Sequence, residues 1–342
     1  MPGRLLFDIR HRRRYKKPMT MDDVFQMFRE DLTRVDQWMG EALRSEVALI
    51  PEIGGHLIGS GGKRFRPLLL LASSALCGYE GDRRYPLAAV IEFIHTATLL
   101  HDDVIDQAHT RRGKVSANNI WGNAASVLVG DYLYSKAFKL MAEYGDLPVI
   151  DALSATTNLM SEGEVLQLVK CGDPSLSEGD YLRIIERKTA VLIAAACTMG
   201  AMLSGTPPER VEALRGFGLQ VGTAFQMTDD ALDYTALADA FGKAIGKDLD
   251  EGKLTLPLIR TLALCSPGER GEAVAAIRKE DRSEEDIAYL LALIERYDGI
   301  SYALAQAARA VAVGKAALAV FPDTPPRQAL MTIADYVIDR KR

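Results

Sequence analysis

Two copies of the motif Asp-Asp-x-x-Asp, each following an apolar stretch of helical character, constrain this chain more than any other feature. Their carboxylates are Asp102, Asp103 and Asp106 in the first copy and Asp229, Asp230 and Asp233 in the second. On an α-helix, residues i and i+4 lie one above the other with i+1 beside them, so each copy forms an acidic rim. Such carboxylates repel one another unless cations lie between them, and Mg²⁺ takes oxygen ligands that it often shares with phosphates. The pair predicts two facing helices that bind several Mg²⁺ ions and a diphosphate.

A single motif of this kind would favour a solvated acidic helix end instead. The flanking sequence argues against that interpretation here. Residues Ile91–Leu100 precede the first copy and carry one ionised side chain, Glu92, while Gly222–Thr228 before the second copy carry none. Acidic triplets that close two apolar helices are typical of the mouth of a cavity.

The hydrophobic pattern is helical almost throughout. Apolar residues recur at helical spacing over 21–48. Further helix-like stretches are predicted at about 67–77, 84–106, 118–142, 147–170, 178–204, 209–234, 255–264, 284–297, 299–319 and 325–339. No alternating strand pattern of useful length occurs, and no linker is long enough to mark a domain boundary. The sequence predicts one all-α domain over 21–342, a helical bundle with antiparallel neighbours, preceded by a basic tail over 1–20.

Composition excludes several classes of protein. The 342 residues are 48% apolar, which allows a sizeable core, and the net charge of −5 argues against general nucleic-acid binding. The four cysteines lack metal-ligand spacing and fit a reduced, cytoplasmic protein. The longest near-continuous apolar run, Ala190–Leu203, is too short to span a bilayer, and no apolar segment typical of a secretory signal follows the N-terminal basic cluster.

That basic cluster, residues 10–17, reads Arg-His-Arg-Arg-Arg-Tyr-Lys-Lys. The favoured interpretation is a flexible, solvated tail. A second hypothesis is weak contact with an anionic membrane surface, to which each basic residue would add modest affinity.

A diphosphate site also needs cations from the protein. Lys63, Arg64 and Arg66 lie in a Gly-rich loop that enters a helix, where backbone amides and the helix N-terminus favour an anion. Arg111 and Arg112 follow the first acidic motif closely, and arginine can bind phosphate oxygens through two hydrogen bonds. The proximity of these arginines to Asp106 favours a binding role over a solvated charge pair.

Further polar residues interrupt apolar helices or follow the second motif. Lys188 precedes an apolar run, with Thr189 beside it, and must either reach water or meet an anion. Gln226 lies three residues before Asp229 and either contacts substrate or satisfies a backbone group. Lys243 and Lys253 fall in a Gly- and Asp-rich segment whose composition suggests a lid, although an ordinary surface loop is the alternative.

Two histidines, His95 and His101, lie close to the first acidic motif in the sequence. His95 lies two helical turns before Asp102, and spacing alone does not decide between a core residue and a contact to phosphate or olefin. The pair His101–Asp102 could indicate the metal pair of phosphohydrolases, but the remaining histidines show no supporting ligand pattern.

Taken together, these motifs resemble the trans-isoprenyl diphosphate synthases, the polyprenyl synthetase family, from about Gly61 to the C-terminus. The marks of the resemblance are Gly-Gly-Lys-Arg-Phe-Arg-Pro at 61–67, the run 92–106 with the first acidic motif, Arg-Arg-Gly at 111–113, Ala-Asn-Asn-Ile-Trp-Gly-Asn at 117–123, Lys188-Thr189, Phe-Gln-Met-Thr-Asp-Asp-Ala-Leu-Asp-Tyr at 225–234 and Glu-Gly-Lys-Leu-Thr-Leu-Pro at 251–257. The resemblance implies a helical bundle of the isoprenoid synthase type around a deep apolar cavity, a homodimer, and successive 1'-4 condensation of isopentenyl diphosphate onto an allylic diphosphate.

The resemblance also implies roles for individual residues. The implied Mg²⁺ ligands, for three ions, are Asp102, Asp103, Asp106, Asp229 and Asp233, with Asp230 as a further catalytic carboxylate. The implied isopentenyl diphosphate site is Lys63, Arg66, His95 and Arg112, with Arg64 beside it. The implied allylic diphosphate site is Arg111, Lys188, Thr189, Gln226 and Lys243, joined by Lys253 on closure.

Product length is expected to depend on the residues four and five before Asp102. These residues, Thr98 and Ala97, lie roughly 6–7.5 Å below the rim. Short-chain members of the family carry bulky aromatic residues near this point, whereas Ala97 is small and Thr98 is not aromatic. The sequence here is most similar to octaprenyl, solanesyl and decaprenyl diphosphate synthases, which predicts a C40–C50 product for quinone side chains.

Three other functions are weighed against this one. A terpene cyclase would normally mix Asn, Ser or Thr and Glu in its second metal motif, which this chain does not. A non-catalytic subunit of a heteromeric prenyl synthase would be expected to lose motif residues, and this chain keeps the acidic and the basic sets. A short-chain C15–C20 synthase remains the alternative within the same chemistry.

Overall fold

The chain folds into α-helices joined by short turns, together with one two-stranded hairpin. The computed structural model describes residues 18–59, 64–239, 247–279 and 281–339. The helices are α1 Met21–Met27, α2 Arg29–Ala42, α3 Leu49–Ile58, α4 Phe65–Leu76, α5 Arg84–Ile105, α6 Ala117–Trp121, α7 Asn123–Tyr144, α8 Leu147–Lys170, α9 Glu178–Ile185, α10 Val191–Met202, α11 Pro208–Asp239, α12 Lys247–Asp250, α13 Leu256–Leu264, α14 Pro267–Ile277, α15 Glu284–Arg296, α16 Gly299–Ala317 and α17 Pro325–Asp339. The predicted all-α class is confirmed.

Two irregular elements connect helices near the acidic and basic motifs of the sequence. A π-helical segment, Glu186–Ala190, joins α9 to α10 without a break. Strands β1 Thr110–Arg111 and β2 Lys114–Val115 pair antiparallel, with positive φ at both turn residues, Arg112 and Gly113. Positive φ at both central residues matches the twist of a tight hairpin, so Arg111 and Arg112 are presented on a rigid turn.

The core centres on α10 and α11, which lie unusually close. Nearly every residue of α10 is buried, as expected of a helix that is apolar on all sides. Gly218 and Gly222 of α11 lie one turn apart and face this helix. A Cβ atom at Gly218 would come within 2.7 Å of the Ala194 Cα, and one at Gly222 within 2.6 Å of the Ala190 Cα. These glycines bring the π segment directly beside the second acidic motif.

The predicted helix boundaries differ from the structure in several places. The stretch 21–48 is divided at Phe28 and ends at Ala42, and the stretch 118–142 is divided at Gly122, where φ is +86°. Helices α3 and α14 were not predicted. Pro51 and two glycines obscure the pattern of α3, although proline is tolerated in a first turn. Helix α14 has a signal that could have found it, a capping box of Ser266 and Glu269.

The two acidic motifs occupy different positions on their helices. The first lies at the C-terminal end of α5, with Asp106 as the capping residue. The second lies inside α11, which continues to Asp239, so the expectation that both motifs close their helices is wrong for the second. Carboxylates at a helix C-terminus add to the negative end of the helix dipole, so the first rim needs nearby cations.

One helical stretch, Gly299–Val320, is long and apolar enough to cross a bilayer by length and composition. Its α16 portion packs against α11 and α13 in the bundle. Core helices of globular domains meet the same criterion, so this stretch is weak evidence for a membrane span.

Candidate active site

Each carboxylate of the first motif lies beside a cation from a different element. The Asp102 carboxylate is 3.7 Å from Lys188 Nζ in the π segment. Asp103 is fully buried and accepts a 2.7 Å hydrogen bond from Arg111 Nε in β1. Asp106 accepts from Lys253 Nζ at 2.9 Å. Three predicted basic residues, distant in sequence, therefore converge on this rim.

Lys253 is held in place by a turn that is anchored on the C-terminal end of α8. The Gly172 amide donates to the Gly252 carbonyl at 2.8 Å, and the Cys171 thiol donates to the Glu251 carbonyl at 3.0 Å. Lys253 Nζ also donates to the Glu251 carboxylate at 2.6 Å. Burial would lower the pKa of Lys253, but Glu251 and Asp106 outweigh it and raise this pKa, so the lysine is charged.

The middle carboxylate of the second motif points into the protein. Asp230 is 5% exposed, accepts from the Tyr181 hydroxyl at 2.6 Å, and accepts from the Gln226 amide at 2.8 Å. Gln226 in turn accepts from the Thr189 hydroxyl at 2.9 Å. Burial, aided by Asp229 and Asp233, raises the pKa of Asp230 to about 6, although both hydrogen bonds act in the opposite direction.

A cavity of about 110 Å³ lies against this network. Its walls include Tyr181, Lys188, Thr189, Gln226, Asp230 and Lys253. The Asp248 amide, at the edge of the same region, lies 3.4 Å from the Asp233 carboxylate. Side chains from α9, the π segment, α11 and the turn after α12 are thus brought to one place.

A second group of basic side chains surrounds His95. Arg66 is half-buried, and its partial desolvation lowers its pKa to about 10, while Glu92 and Asp229 act to raise it. Burial lowers the pKa of His95 well below its ordinary value, and the charges of Arg66, Arg112 and Arg111 add to this effect. His95 is therefore a neutral imidazole at pH 7, surrounded by positive charge.

Arg64 has a different environment from Arg66. It adopts positive φ immediately before α4, and its side chain donates to Asp36 at 2.8 Å and to the Ile58 carbonyl at 2.8 Å. Its guanidinium also lies 3.6 Å from the Glu92 carboxylate. These contacts link α4 to α2, α3 and α5, so the observed partners of Arg64 are structural; its predicted substrate contact stays a prediction.

The two expected chain-length residues lie on α5 below the first rim. Ala97 is fully buried, and Thr98 is half-buried with its hydroxyl donating to the His95 carbonyl at 2.8 Å. Lys63, Lys243 and the basic cluster 10–17 lie outside the described residues.

The structure adds residues that sequence reasoning missed. Glu164 Oε2 lies 2.7 Å from Lys188 Nζ, Glu92 is a buried acid among arginines, and Tyr181 holds Asp230. Glu92 carried a usable signal, because it is the one charge in an apolar run. Glu164 and Tyr181 carried none, since their partners lie 24 and 49 residues away.

The oxygen donors of both motifs suit a hard divalent cation. Within the described ranges, however, no three His, Cys, Asp or Glu side chains are grouped closely enough to hold a metal ion. The carboxylates of Asp102 and Asp106 lie near Lys188 and Lys253, respectively.

Comparison with known proteins places this geometry in context. A family model described as Polyprenyl synthetase matches residues 47–294. The chain belongs to the polyprenyl synthetase family. It is 40% identical to the octaprenyl diphosphate synthase of Escherichia coli (strain K12) over 324 residues, which cover 95% of this chain and 100% of that protein. The resemblance inferred from the motifs is confirmed.

Solved structures give the same result. A decaprenyl diphosphate synthase from Rhodobacter capsulatus superposes with a TM-score of 0.90 at 42% identity, covering 94% of this chain and 99% of the other. A polyprenyl synthase from Caulobacter crescentus CB15, complexed with calcium and isoprenyl diphosphate, gives 0.90 at 42% identity over 96% and 100% of the two chains. The predictions of a prenyltransferase and of a long-chain trans-polyprenyl diphosphate synthase are confirmed.

Proposed function

We propose that this family member extends an allylic diphosphate by successive 1'-4 condensations with isopentenyl diphosphate to a C40–C50 product that serves as a quinone side chain. The observation that carries the proposal is the convergence of Lys188, Arg111 and Lys253 on the first acidic rim. A second basic cluster around His95 lies beside it. Two diphosphate substrates require two such cationic sites.

The carboxylates of both rims fit Mg²⁺. Asp102, Asp103 and Asp106 would hold it from one side, and Asp229 and Asp233 from the other, for three ions in all. The structure of the Caulobacter crescentus relative with calcium supports a divalent cation. When bound, the metal neutralises the charge that develops on the departing diphosphate.

The protein's own cations act on the same leaving group. Lys188 and Arg111, which lie beside Asp102 and Asp103, would bind this diphosphate. Thr189 and Gln226 would add hydrogen bonds, and Lys243 and Lys253 would close over it. Cleavage of the allylic C–O bond moves an electron pair to the diphosphate oxygen and leaves an allylic cation. Pre-positioned positive charge stabilises the diphosphate as that charge develops.

The second substrate binds to the basic group around His95. Arg66 and Arg112, with Lys63, would bind the diphosphate of isopentenyl diphosphate, and neutral His95 would accept or donate one hydrogen bond there. The double bond of isopentenyl diphosphate attacks the allylic cation and forms the new C–C bond, which leaves a tertiary cation. This cation loses a proton to the released diphosphate, and a new double bond forms. The two sites hold the reacting carbons together, and the apolar surroundings exclude water that would trap the cation.

The growing tail would extend past Ala97 and Thr98 into the bundle. The small volume of the Ala97 side chain supports this path, because no aromatic side chain occupies position 97 or 98. Residues 21–342 would form the single catalytic domain, with 1–20 as a tail that makes at most weak contact with a membrane surface.

Two proposals concern assembly and compartment. Helix α8 exposes Val165, Leu168 and Val169 on one face, by 60 to 71%, and α7 exposes Leu128 by 66%. An exposed apolar surface of this kind supports a homodimer. Equilibrium sedimentation should show a dimer that Leu168→Lys weakens at least tenfold. All four cysteines are free thiols, which supports the cytoplasm.

Product analysis tests the function. The chain is incubated with farnesyl diphosphate, labelled isopentenyl diphosphate and Mg²⁺, and the dephosphorylated products are separated by length. A ladder that ends at C40–C50 supports the proposal. A product that stops at C15–C20 would identify a short-chain synthase, and no condensation with any allylic primer would point to a non-catalytic subunit.

A further inference from the structure

Helix α8 makes its nearest approach to the π segment at Gly163. A Cβ atom there would lie 2.7 Å from the Lys188 amide nitrogen and 2.8 Å from the Arg187 Cβ, so the contact requires glycine. Successive residues of a helix are separated by about 100°, which places Glu162 and Glu164 on opposite sides of this contact. The two carboxylates therefore flank the π segment.

Each flanking carboxylate binds one of two adjacent cations. Glu162 Oε2 lies 2.7 Å from Arg187 Nη1, and Glu164 Oε2 lies 2.7 Å from Lys188 Nζ. The first pair is an outer one, with side chains 48% and 37% exposed, while the second is an inner one at 28% and 21%. The inner pair sets the direction of the Lys188 ammonium, while the outer pair holds Arg187 at the surface.

Lys188 has a second carboxylate within reach. Its ammonium lies 3.7 Å from the Asp102 oxygen, one ångström farther than from Glu164. Without Glu164, the ammonium would be free to bind Asp102 directly. Such a pair would occupy a predicted cation ligand and would draw the lysine away from the phosphate oxygens.

We propose that Glu164 is a positioning residue that holds Lys188 off Asp102 and directs its ammonium at the allylic diphosphate. The inference rests on the proposed function, in which Lys188 binds the leaving group. Glu164 itself touches no reacting atom. Its effect is on affinity for the allylic diphosphate and for Mg²⁺, because both compete with the Lys188–Asp102 pair.

The test measures binding and turnover in parallel. The Kd of farnesyl thiodiphosphate, a slowly reacting allylic analogue, is determined by calorimetry with Mg²⁺, and initial rates are measured at varied farnesyl diphosphate and Mg²⁺. Glu164→Ala should raise the Kd, the KM for farnesyl diphosphate and the Mg²⁺ needed for half-maximal rate by roughly tenfold, the scale of one charge-assisted hydrogen bond. Its kcat should change less.

Two variants separate positioning from general damage. Glu164→Gln keeps a side-chain oxygen that can accept a hydrogen bond from Lys188, so it should recover part of the affinity for farnesyl thiodiphosphate. If Glu164→Ala does not fold, Glu164→Gln takes its place in the comparison. Glu162→Ala removes the matched outer pair and should stay within about twofold of the wild type, the scale of an exposed ion pair.

A double-variant cycle decides the outcome. In a Lys188→Ala background, Glu164→Ala should raise the Kd by less than twofold. A full tenfold effect in that background, or an unchanged Kd and KM in folded Glu164→Ala, would overturn the proposal. If the wild-type protein binds farnesyl thiodiphosphate but does not catalyse condensation with isopentenyl diphosphate, the proposed function is contradicted. The Kd values of the wild type and the variants can still be compared in that case.

Discussion

The middle aspartates, Asp103 and Asp230, have different surroundings from those expected of rim residues. Asp103 is fully buried against Arg111, and Asp230 is nearly so, against Tyr181 and Gln226. The i+1 position of each motif therefore fixes neighbouring polar side chains. The pattern Asp-Asp-x-x-Asp predicted a rim of acids, but the protein group that each acid meets depends on residues as distant as Lys253, 147 positions from Asp106.

At the scale of single residues, Ala97 offers a direct test of the product channel. Ala97→Phe should shorten the product, because an aromatic ring below the rim would block the tail. Products are resolved by reversed-phase chromatography after dephosphorylation. Thr98→Phe is the matched variant one residue along the helix, about 100° away. An unchanged product length for Ala97→Phe would show that Ala97 does not face the tail.

The Glu92 carboxylate offsets the positive charge of the basic group around His95. We therefore expect its replacement to lower stability, and the size of the loss to depend on isopentenyl diphosphate. Glu92→Gln should lower the free energy of unfolding by about 3 kcal/mol, because it removes a buried charge that faces Arg64, Arg66 and Arg112. Isopentenyl diphosphate should restore part of the loss, since its anion replaces the missing charge. Urea unfolding with and without the substrate measures both.

The exposed Glu80→Gln is the control for that experiment and should stay within about 0.5 kcal/mol of the wild type. An equal loss with and without isopentenyl diphosphate would show that Glu92 does not share its electrostatic environment with the substrate.

At the scale of elements, long periodic helices such as α5, α8 and α17 could be predicted from the sequence, two of them to the residue. Their apolar faces repeat over many turns, and Asp146 or proline marks a start. Helix α3 was not predicted, because its glycines and proline interrupt the helical spacing of apolar residues. The π segment had no sequence signal, since its wider turn depends on its contacts with α8 and α11.

The contact between α11 and the end of the π segment allows us to predict the effect of one added methyl group. Gly222→Ala should lower the free energy of unfolding by about 1–3 kcal/mol, because its Cβ would meet the backbone of Ala190 at 2.6 Å. It should also lower kcat/KM, since Lys188 and Thr189 are attached to that backbone.

Gly216→Ala is the matched control on the same helix. No heavy atom lies within 4 Å of a Cβ atom at Gly216, so this change should be neutral or stabilise by about 0.5–1 kcal/mol. Equal behaviour of the two variants in thermal and urea unfolding would contradict the close packing of the π segment on α11.

At the scale of the whole molecule, the site joins opposite charges carried by separate parts of the bundle. Asp102, Asp103 and Asp106 lie at the end of α5, where cations reach them from the π segment, the hairpin and the turn after α12. Asp229 and Asp233 lie inside α11. Mg²⁺ alone would be opposed by these lysines and arginines, and a diphosphate alone by the aspartates. The two ligands are therefore expected to bind together.

This coupling predicts a larger stabilisation by both ligands than by either one. The rise in melting temperature with Mg²⁺ plus farnesyl thiodiphosphate should exceed the sum of the separate rises. With the analogue at about 100 times its Kd in the presence of Mg²⁺, the folded state should gain about 2.7 kcal/mol of stability. Chelation with EDTA should remove the excess and the activity together. Additive shifts in differential scanning fluorimetry would argue against a shared site, and Asp233→Asn should reduce the excess.

Local spacing and residue type were sufficient to predict the all-α class, the family, and three basic residues that meet the first acidic motif. Tertiary structure decided which charges meet. It placed Lys188 between Glu164 and Asp102, buried Asp103 on Arg111, and made Arg64 a structural contact. Pairing across the bundle depends on how helices pack, and glycines such as Gly163 and Gly222 reveal a close contact only when the opposing backbone is in place.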